Sequence, residues 1–358
     1  MMISSRHINK SVATVGAAVI RKVFNSRMVA KAKARNFHSS STLNDKILCV
    51  LYPDPITGYP PNYTRVDPIP NITKYPDGMT TPSPSGGIDF IPGELLGCIS
   101  GKLGLEKFLH DNGHELIVTT DKDGIGCEFE QHLVDSHYVI SQPFYPAYMT
   151  EERFNMAKNL KSCITAGIGS DHVDLDAAIK HNVDVCEVTY CNSISVSEHV
   201  VMMILALVRN YIPSYNYIKQ GGWNIADCVQ RSYDVEGMKV GTVAAGRIGL
   251  AVLKRLYPFD CSLHYCDRHR LPHDIEQKYN LRYWENWKDM ISEMDVVTLN
   301  CPLHSETEHM INEETIKLFK RGAYLVNTAR GKLCNKNVIA HALEDGTLAG
   351  YAGGTLPN

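Results

Sequence analysis

The stretch MKVGTVAAGRIGLAVLKRLYPF, residues 238–259, constrains the fold more than any other part of the sequence. A short apolar run leads through Ala244-Ala245-Gly246-Arg247-Ile248-Gly249 into a segment with helical spacing of its apolar residues. Strand, glycine turn and helix in that order belong to a parallel sheet, because the helix carries the chain back for the next strand. The rhythm continues downstream. CSLHYCD reads as a strand, DMISEMDVVTLNCPL as helix then strand, and ETIKLFKRGAYLVNTARG as helix then strand. NVIAHALEDGTLAGYAGG closes the series as a helix with a strand beginning at Gly350. Strands are expected near 240–244, 261–266, 281–283, 295–300 and 323–327.

An earlier series alternates in the same way, from KILCVLY through LEKFLHDNGHELIVTT, HYVISQPFYP and NLKSCITAGIGSDHVDL to HNVDVCEVTYCNSIS. The fold class is therefore α/β: two doubly wound parallel-sheet domains, Rossmann-like or flavodoxin-like, with a cleft between them. The first spans 45–192 and the second 193–358, joined through a long apolar helix over Glu198–Tyr211. Pro53–Pro92 is expected to be a long irregular segment. A dinucleotide-type sheet runs to six strands, and the chain stops within a few residues of Gly350, so the second domain is expected to be incomplete.

Charge is unevenly placed. Residues 1–44 hold eight Lys/Arg and no Asp or Glu; the remainder has 28 basic against 39 acidic residues. The acidic body argues against nucleic acid and anionic membranes as partners. The Arg- and Ser-rich, acid-free leader reads as a mitochondrial transit peptide, giving a matrix location. A cytosolic leader or a secretory signal are the alternatives. Eleven cysteines without a C-x-x-C pair fit neither a disulfide framework nor a metal site, and no metal is expected.

The turn at Ala244–Gly249 matches G-x-G-x-x-G with alanine first. Gly246 permits close approach of a pyrophosphate and Gly249 close packing of the helix on the sheet. Asp267 ends the next strand, placed to accept hydrogen bonds from ribose hydroxyls and to favour NAD over NADP. Arg268 and His269 follow it, and an arginine there can accept a 2′-phosphate. The other strand ends carry Pro302-Leu303-His304 and Thr328-Ala329-Arg330. Arg330 can hold a carboxylate through a two-pronged ion pair, or simply begin a surface loop. Asn192 can donate its amide to a substrate oxygen, or cap the following helix. Ile168, in TAGIGSDH, offers an apolar wall. His304 is an acid–base candidate or a loop residue lining the cofactor.

SQPFYPAYMT, TAGIGSDHVDL, VTYCNSISVSEHVVMMIL, VGTVAAGRIG, CPLHSETEHMIN and LVNTARGKL together resemble NAD-dependent formate dehydrogenase, within the D-2-hydroxyacid dehydrogenase superfamily. The resemblance runs from about residue 46 to 353. It implies formate contacts at Ile168, Asn192 and Arg330, with Pro143 and Phe144 shaping the pocket and Asn192 and Arg330 catalytic. It implies NAD contacts at Ser193, Arg247, Ile248, Asp267, Pro302, Leu303, His304, Ser305, Glu306 and Thr328, beside Ala244, Gly246 and Gly249 of the turn. It also implies a homodimer formed through the Glu198–Tyr211 region. The family places an Asp where this chain has Gly354, and then a Gln and a His at the formate site that these 358 residues do not supply. The expectation is a truncated chain with impaired activity; the alternatives are a non-catalytic NAD-binding or dimerising subunit, or a dehydrogenase for a larger 2-hydroxy acid.

Overall fold

The computed structural model describes residues 44–51, 105–143, 145–188 and 192–353. The leader, save Asn44, and the irregular segment lie outside these residues, as does the tail from Gly354. The chain divides into two compact units between Cys191 and Asn192, so Asn192 belongs to the second.

The first unit is a five-stranded parallel sheet of β1 (Lys46–Val50), β2 (Glu115–Thr119), β3 (Tyr138–Ser141), β4 (Ser162–Thr165) and β5 (Asp184–Glu187), in the order β2-β1-β3-β4-β5. Its helices are α1 (Leu105–Asp111), α2 (Glu128–Leu133), α3 (Glu151–Met156) and α4 (Leu175–Lys180). Successive residues of β1 go to opposite faces. Leu48 and Val50 join Phe129, Leu133 and Phe154, while Ile47 and Cys49 join Leu109 and Ile140. Burial on both faces is why the three central strands, β1, β3 and β4, are largely apolar, while the edge strands β2 and β5 carry Glu115, Asp184 and Glu187.

The second unit opens with α5 (Ser193–Val208), α6 (Tyr211–Lys219) and α7 (Ile225–Val229). Its strands are β6 (Lys239–Val243), β7 (Ser262–Cys266), β8 (Leu281–Trp284), β9 (Val296–Leu299), β10 (Ala323–Asn327) and β11 (Leu348–Gly353). Between them lie α8 (Arg247–Leu256), α9 (His273–Lys278), α10 (Trp287–Ile291) and α11 (Lys336–Glu344). The parallel order is β11-β10-β9-β6-β7-β8. Strand order therefore reverses between β6 and β9, the point where open α/β sheets bind ligands at their carboxyl edge. Val252, Leu253 and Leu256 of α8 pack with Val200, Ile204 and Val208 of α5. A fully buried leucine of this kind contributes about 1.5–3 kcal/mol.

Two expectations need correction. The sheet is not short of its sixth strand: β11 starts two residues before Gly350 and pairs with β10 from Ala323↔Leu348 to Asn327↔Gly353. Leu348 is buried, and a Cβ on Gly350 would lie 3.0 Å from Leu207, so Gly350 answers a tight approach by α5. The long helix over Glu198–Tyr211 is also broken. It ends at Val208, Asn210 adopts φ +51°, and α6 departs at 67°. Pro213 lacks the N–H that a continuous helix would donate to Arg209. Among the described residues no single helix is long and apolar enough to cross a membrane.

Two buried titratable groups brace β7. His264 accepts a hydrogen bond from Trp284 Nε1 at 3.0 Å, and burial, with Arg282 and Lys239 nearby, brings its pKa from 6.5 down to about 4. Glu276 on α9 is brought from 4.5 down to about 2, chiefly by the Arg270 guanidinium, with a further hydrogen bond from Tyr265. In both cases the unfolded chain accepts a proton that the folded chain refuses. Stability is therefore complete above each ordinary value and lost as pH falls toward the folded one. Denaturation midpoints are expected to decline as pH falls from 6.5 toward 4 and again from 4.5 toward 2. His264→Gln should flatten the first limb and Glu276→Gln the second; a midpoint constant from neutrality to pH 4 would contradict the assignment.

Candidate dinucleotide and substrate site

The turn after β6 is built from a strained alanine and two glycines with different duties. Ala244 adopts φ +71°, a region that costs a residue with a Cβ about 1–2 kcal/mol. Neighbours fix it there. The Ala244 N–H donates to the Cys266 carbonyl at 2.8 Å, and the Thr242 hydroxyl donates to the Ala244 carbonyl at 2.8 Å. Asn300 Nδ2 in turn donates to Thr242 Oγ1 at 2.9 Å. A Cβ on Gly249 would lie 2.1 Å from the Ala244 carbonyl oxygen, so helix and strand meet only because Gly249 has no side chain. A Cβ on Gly246 would meet nothing within 4 Å. Gly246 is the exposed N-cap of α8, a ten-residue helix, and has no side chain to cap it, the arrangement in which a helix N-terminus suits an anionic ligand. Arg247 is exposed and Ile248 half-buried on that first turn.

Asp267 ties this turn to the end of β7. Its Oδ2 accepts from the Ala245 N–H at 2.8 Å and its Oδ1 from the His269 N–H at 3.0 Å. A carboxylate oxygen holds more than one hydrogen bond, so both retain capacity for ribose hydroxyls.

After β9, the Thr307 hydroxyl donates to the Pro302 carbonyl and accepts from the His304 N–H, each at 2.8 Å, closing 302–307 into a compact turn. Pro302, His304, Ser305 and Glu306 are exposed there and Leu303 is half-buried. After β10, buried Asn327 shapes the segment that carries Arg330. Its Nδ2 donates to the Arg330 carbonyl at 2.8 Å and its Oδ1 accepts from the Ala329 N–H at 3.1 Å. The Arg330 side chain is half-buried, with Nη1 donating to the Ala329 carbonyl at 3.0 Å.

Asn192 stands at the N-cap of α5 but makes no side-chain cap hydrogen bond. Its buried Oδ1, with Ser193 Oγ, Asn300 Oδ1 and Thr328 Oγ1, has no hydrogen-bond partner among the described residues. A buried polar atom left so costs about 1–3 kcal/mol unless water or a ligand meets it. Gly246's open space and these oxygens at the strand ends and the α5 cap fit a polar dinucleotide. Among the described residues no cluster of three or more His, Cys, Asp or Glu could hold a metal ion.

In the first unit, Pro143 and Ile168 are half-buried just beyond the carboxyl ends of the neighbouring strands β3 and β4. A Cβ on Gly167 would lie 2.8 Å from Pro143 Cγ, so the loop bearing Ile168 packs on the proline because Gly167 is small. Phe144 lies outside the described residues. Sequence reasoning missed Thr242, Asn300 and Asn327. Their signal was polarity at the ends of otherwise apolar strands.

Residues 201–356 match the D-isomer specific 2-hydroxyacid dehydrogenase NAD-binding domain. A formate dehydrogenase of Pseudomonas sp. (strain 101) is 66% identical over 308 residues, covering 86% of this chain and 76% of that one. The chloroplastic/mitochondrial formate dehydrogenase of Arabidopsis thaliana is 45% identical over 259 residues, covering 72% and 67% respectively. The crystal structure of NAD-dependent formate dehydrogenase from Staphylococcus aureus in complex with NAD is 34% identical, with a TM-score of 0.69 over 87% of this chain and 81% of that one.

The two glycines separate folding from binding. Gly246→Ala should leave the melting temperature unchanged while weakening NAD roughly tenfold, because its methyl meets the ligand and not the protein. Gly249→Ala should lower both, because its methyl meets backbone. Titration calorimetry and thermal melts of the two variants check this; equal effects on melting would contradict it.

Proposed function

Since this chain belongs to the NAD-dependent formate dehydrogenase family, we propose that it transfers a hydride from formate to NAD and releases carbon dioxide. The carrying observation is Arg330, a half-buried guanidinium just past the end of β10, on a segment fixed by Asn327. A guanidinium so presented binds a carboxylate through two parallel hydrogen bonds. Asn192, whose amide does no capping, is assigned to a carboxylate oxygen. NAD supplies the hydride-accepting ring. Formate gives up its hydrogen with the bonding electron pair and its carboxylate has no proton to lose, so the residues need only orient it and exclude water. Arg330 and Asn192 orient; Pro143, Phe144 and Ile168 are assigned the apolar contacts. Residues 45–192 are read as the substrate domain and 193–358 as the NAD domain, with Asp267 on the ribose.

Formate-dependent production of NADH by the purified chain tests the reading. Arg330→Gln should lower kcat/KM for formate at least about 100-fold while NAD affinity stays within twofold. Activity instead with glyoxylate or pyruvate and NADH would favour a larger 2-hydroxy acid. The same assay measures impairment: turnover far below that of the relatives matches the expectation, and comparable turnover refutes it.

Homodimer formation is supported by an exposed apolar face. Met202 of α5, Tyr211, Ile212, Tyr215 and Ile218 of α6, and the nearby Trp223 are all at least half exposed. Apolar surface of this kind suits a second copy of the chain. Sedimentation should give twice the 40.0 kDa chain mass, and a monomer at micromolar concentration would refute it. The acid-free basic leader supports a mitochondrial destination, which import of a fusion carrying residues 1–44 would test.

A further inference from the structure

A 2′-phosphate on the adenosine ribose separates NADP from NAD, and an arginine near the acidic residue of this loop is the group suited to bind it. The loop after β7 offers two, Arg268 and Arg270, both exposed. Asp267 repels such a phosphate, but one carboxylate in a loop with two arginines is a weak guard.

Arg270 is already committed. Its Nε donates to Glu276 Oε1 and its Nη2 to Glu276 Oε2, both at 2.9 Å. This is the two-pronged pairing an arginine would otherwise give a phosphate. The guanidinium also stands over the Tyr283 ring, 5.2 Å from its centroid. Glu276 cannot move out to follow the arginine, because it is buried and held from within. The hydroxyl of fully buried Tyr265 donates to its Oε1 at 2.5 Å, and His273 Nδ1 stands 3.8 Å from Oε2. The same hydroxyl accepts the Leu271 N–H at 2.9 Å, which closes the loop onto α9.

We propose that Glu276 is a positioning residue for cofactor choice: by sequestering Arg270 it withholds from the adenosine ribose the second arginine that a 2′-phosphate would use. The proposal rests on the reading of Asp267 as the ribose-binding residue.

Calorimetric titration with NAD and with NADP reads affinity without requiring turnover. Glu276→Gln, which removes the charge that holds Arg270, is expected to tighten NADP about tenfold and leave NAD within about twofold. Arg270→Ala alone should leave NADP affinity unchanged, and Arg270→Ala added to Glu276→Gln should abolish the gain. A merely structural role for Glu276 would weaken both cofactors together and would not depend on Arg270. If Glu276→Gln does not fold, Glu276→Ala takes its place with the same expectation, since it too removes the carboxylate that holds Arg270. An unmoved NADP-to-NAD ratio in a folded variant, or a gain that survives in the double variant, overturns the proposal alone. Failure of the unsubstituted chain to bind NAD overturns the proposal and the site reading together.

Discussion

The meeting of α8 with β6 at Gly249 is the contact on which the rest of the second unit depends. A carbonyl oxygen occupies the space where any side chain on Gly249 would stand. That approach aims the start of α8 across the end of β6 and forces Ala244 into a conformation that alanine resists. The strain is held from three directions: Cys266 on the next strand, Thr242 on the same strand, and Asn300 beyond β9 through Thr242. The turn is thus fastened to both neighbours of β6. The position where strand order reverses is also one that hydrogen bonds tie to the strands on either side.

Much of this was legible in the sequence. Alternating apolar strands and amphipathic helices placed every strand of the second sheet except β11 within a residue or so, because buried parallel strands tolerate little but Val, Ile and Leu. The glycine turn and Asp267 were legible because each position has a steric or electrostatic requirement that few residue types meet. β11 was misjudged for a related reason. LAGYAG looks weak as a strand on its own, and the closeness of Leu207 and Tyr324 to Gly350 is what calls for a glycine there. The helix break at Asn210 was hidden by an apolar run that continues across it.

What the sequence could not reveal were polar partnerships between distant positions. Asn327 and Arg330 are close in sequence, but only the fold shows that one amide holds the Ala329 N–H and the Arg330 carbonyl together. Asn300 lies 58 residues from Thr242, and Tyr265 is 11 from Glu276. Neither spacing has a periodic signature. Asn192 was open between capping and ligand binding, and in the structure its side chain makes no cap hydrogen bond.

The placement of β6 has a consequence for how the protein comes into being. Its two neighbours arrive at very different times: β7 follows after one helix, whereas β9 is separated from it by β7, β8 and three helices. Pairings across so long a stretch are slow, because the intervening chain must be ordered before the contact repays it. A nascent chain therefore has β6 with one edge bare until β9 inserts. The nucleotide crevice, which needs both strands, cannot form before β9 is in place, so cofactor can stabilise only chains that have folded at least that far.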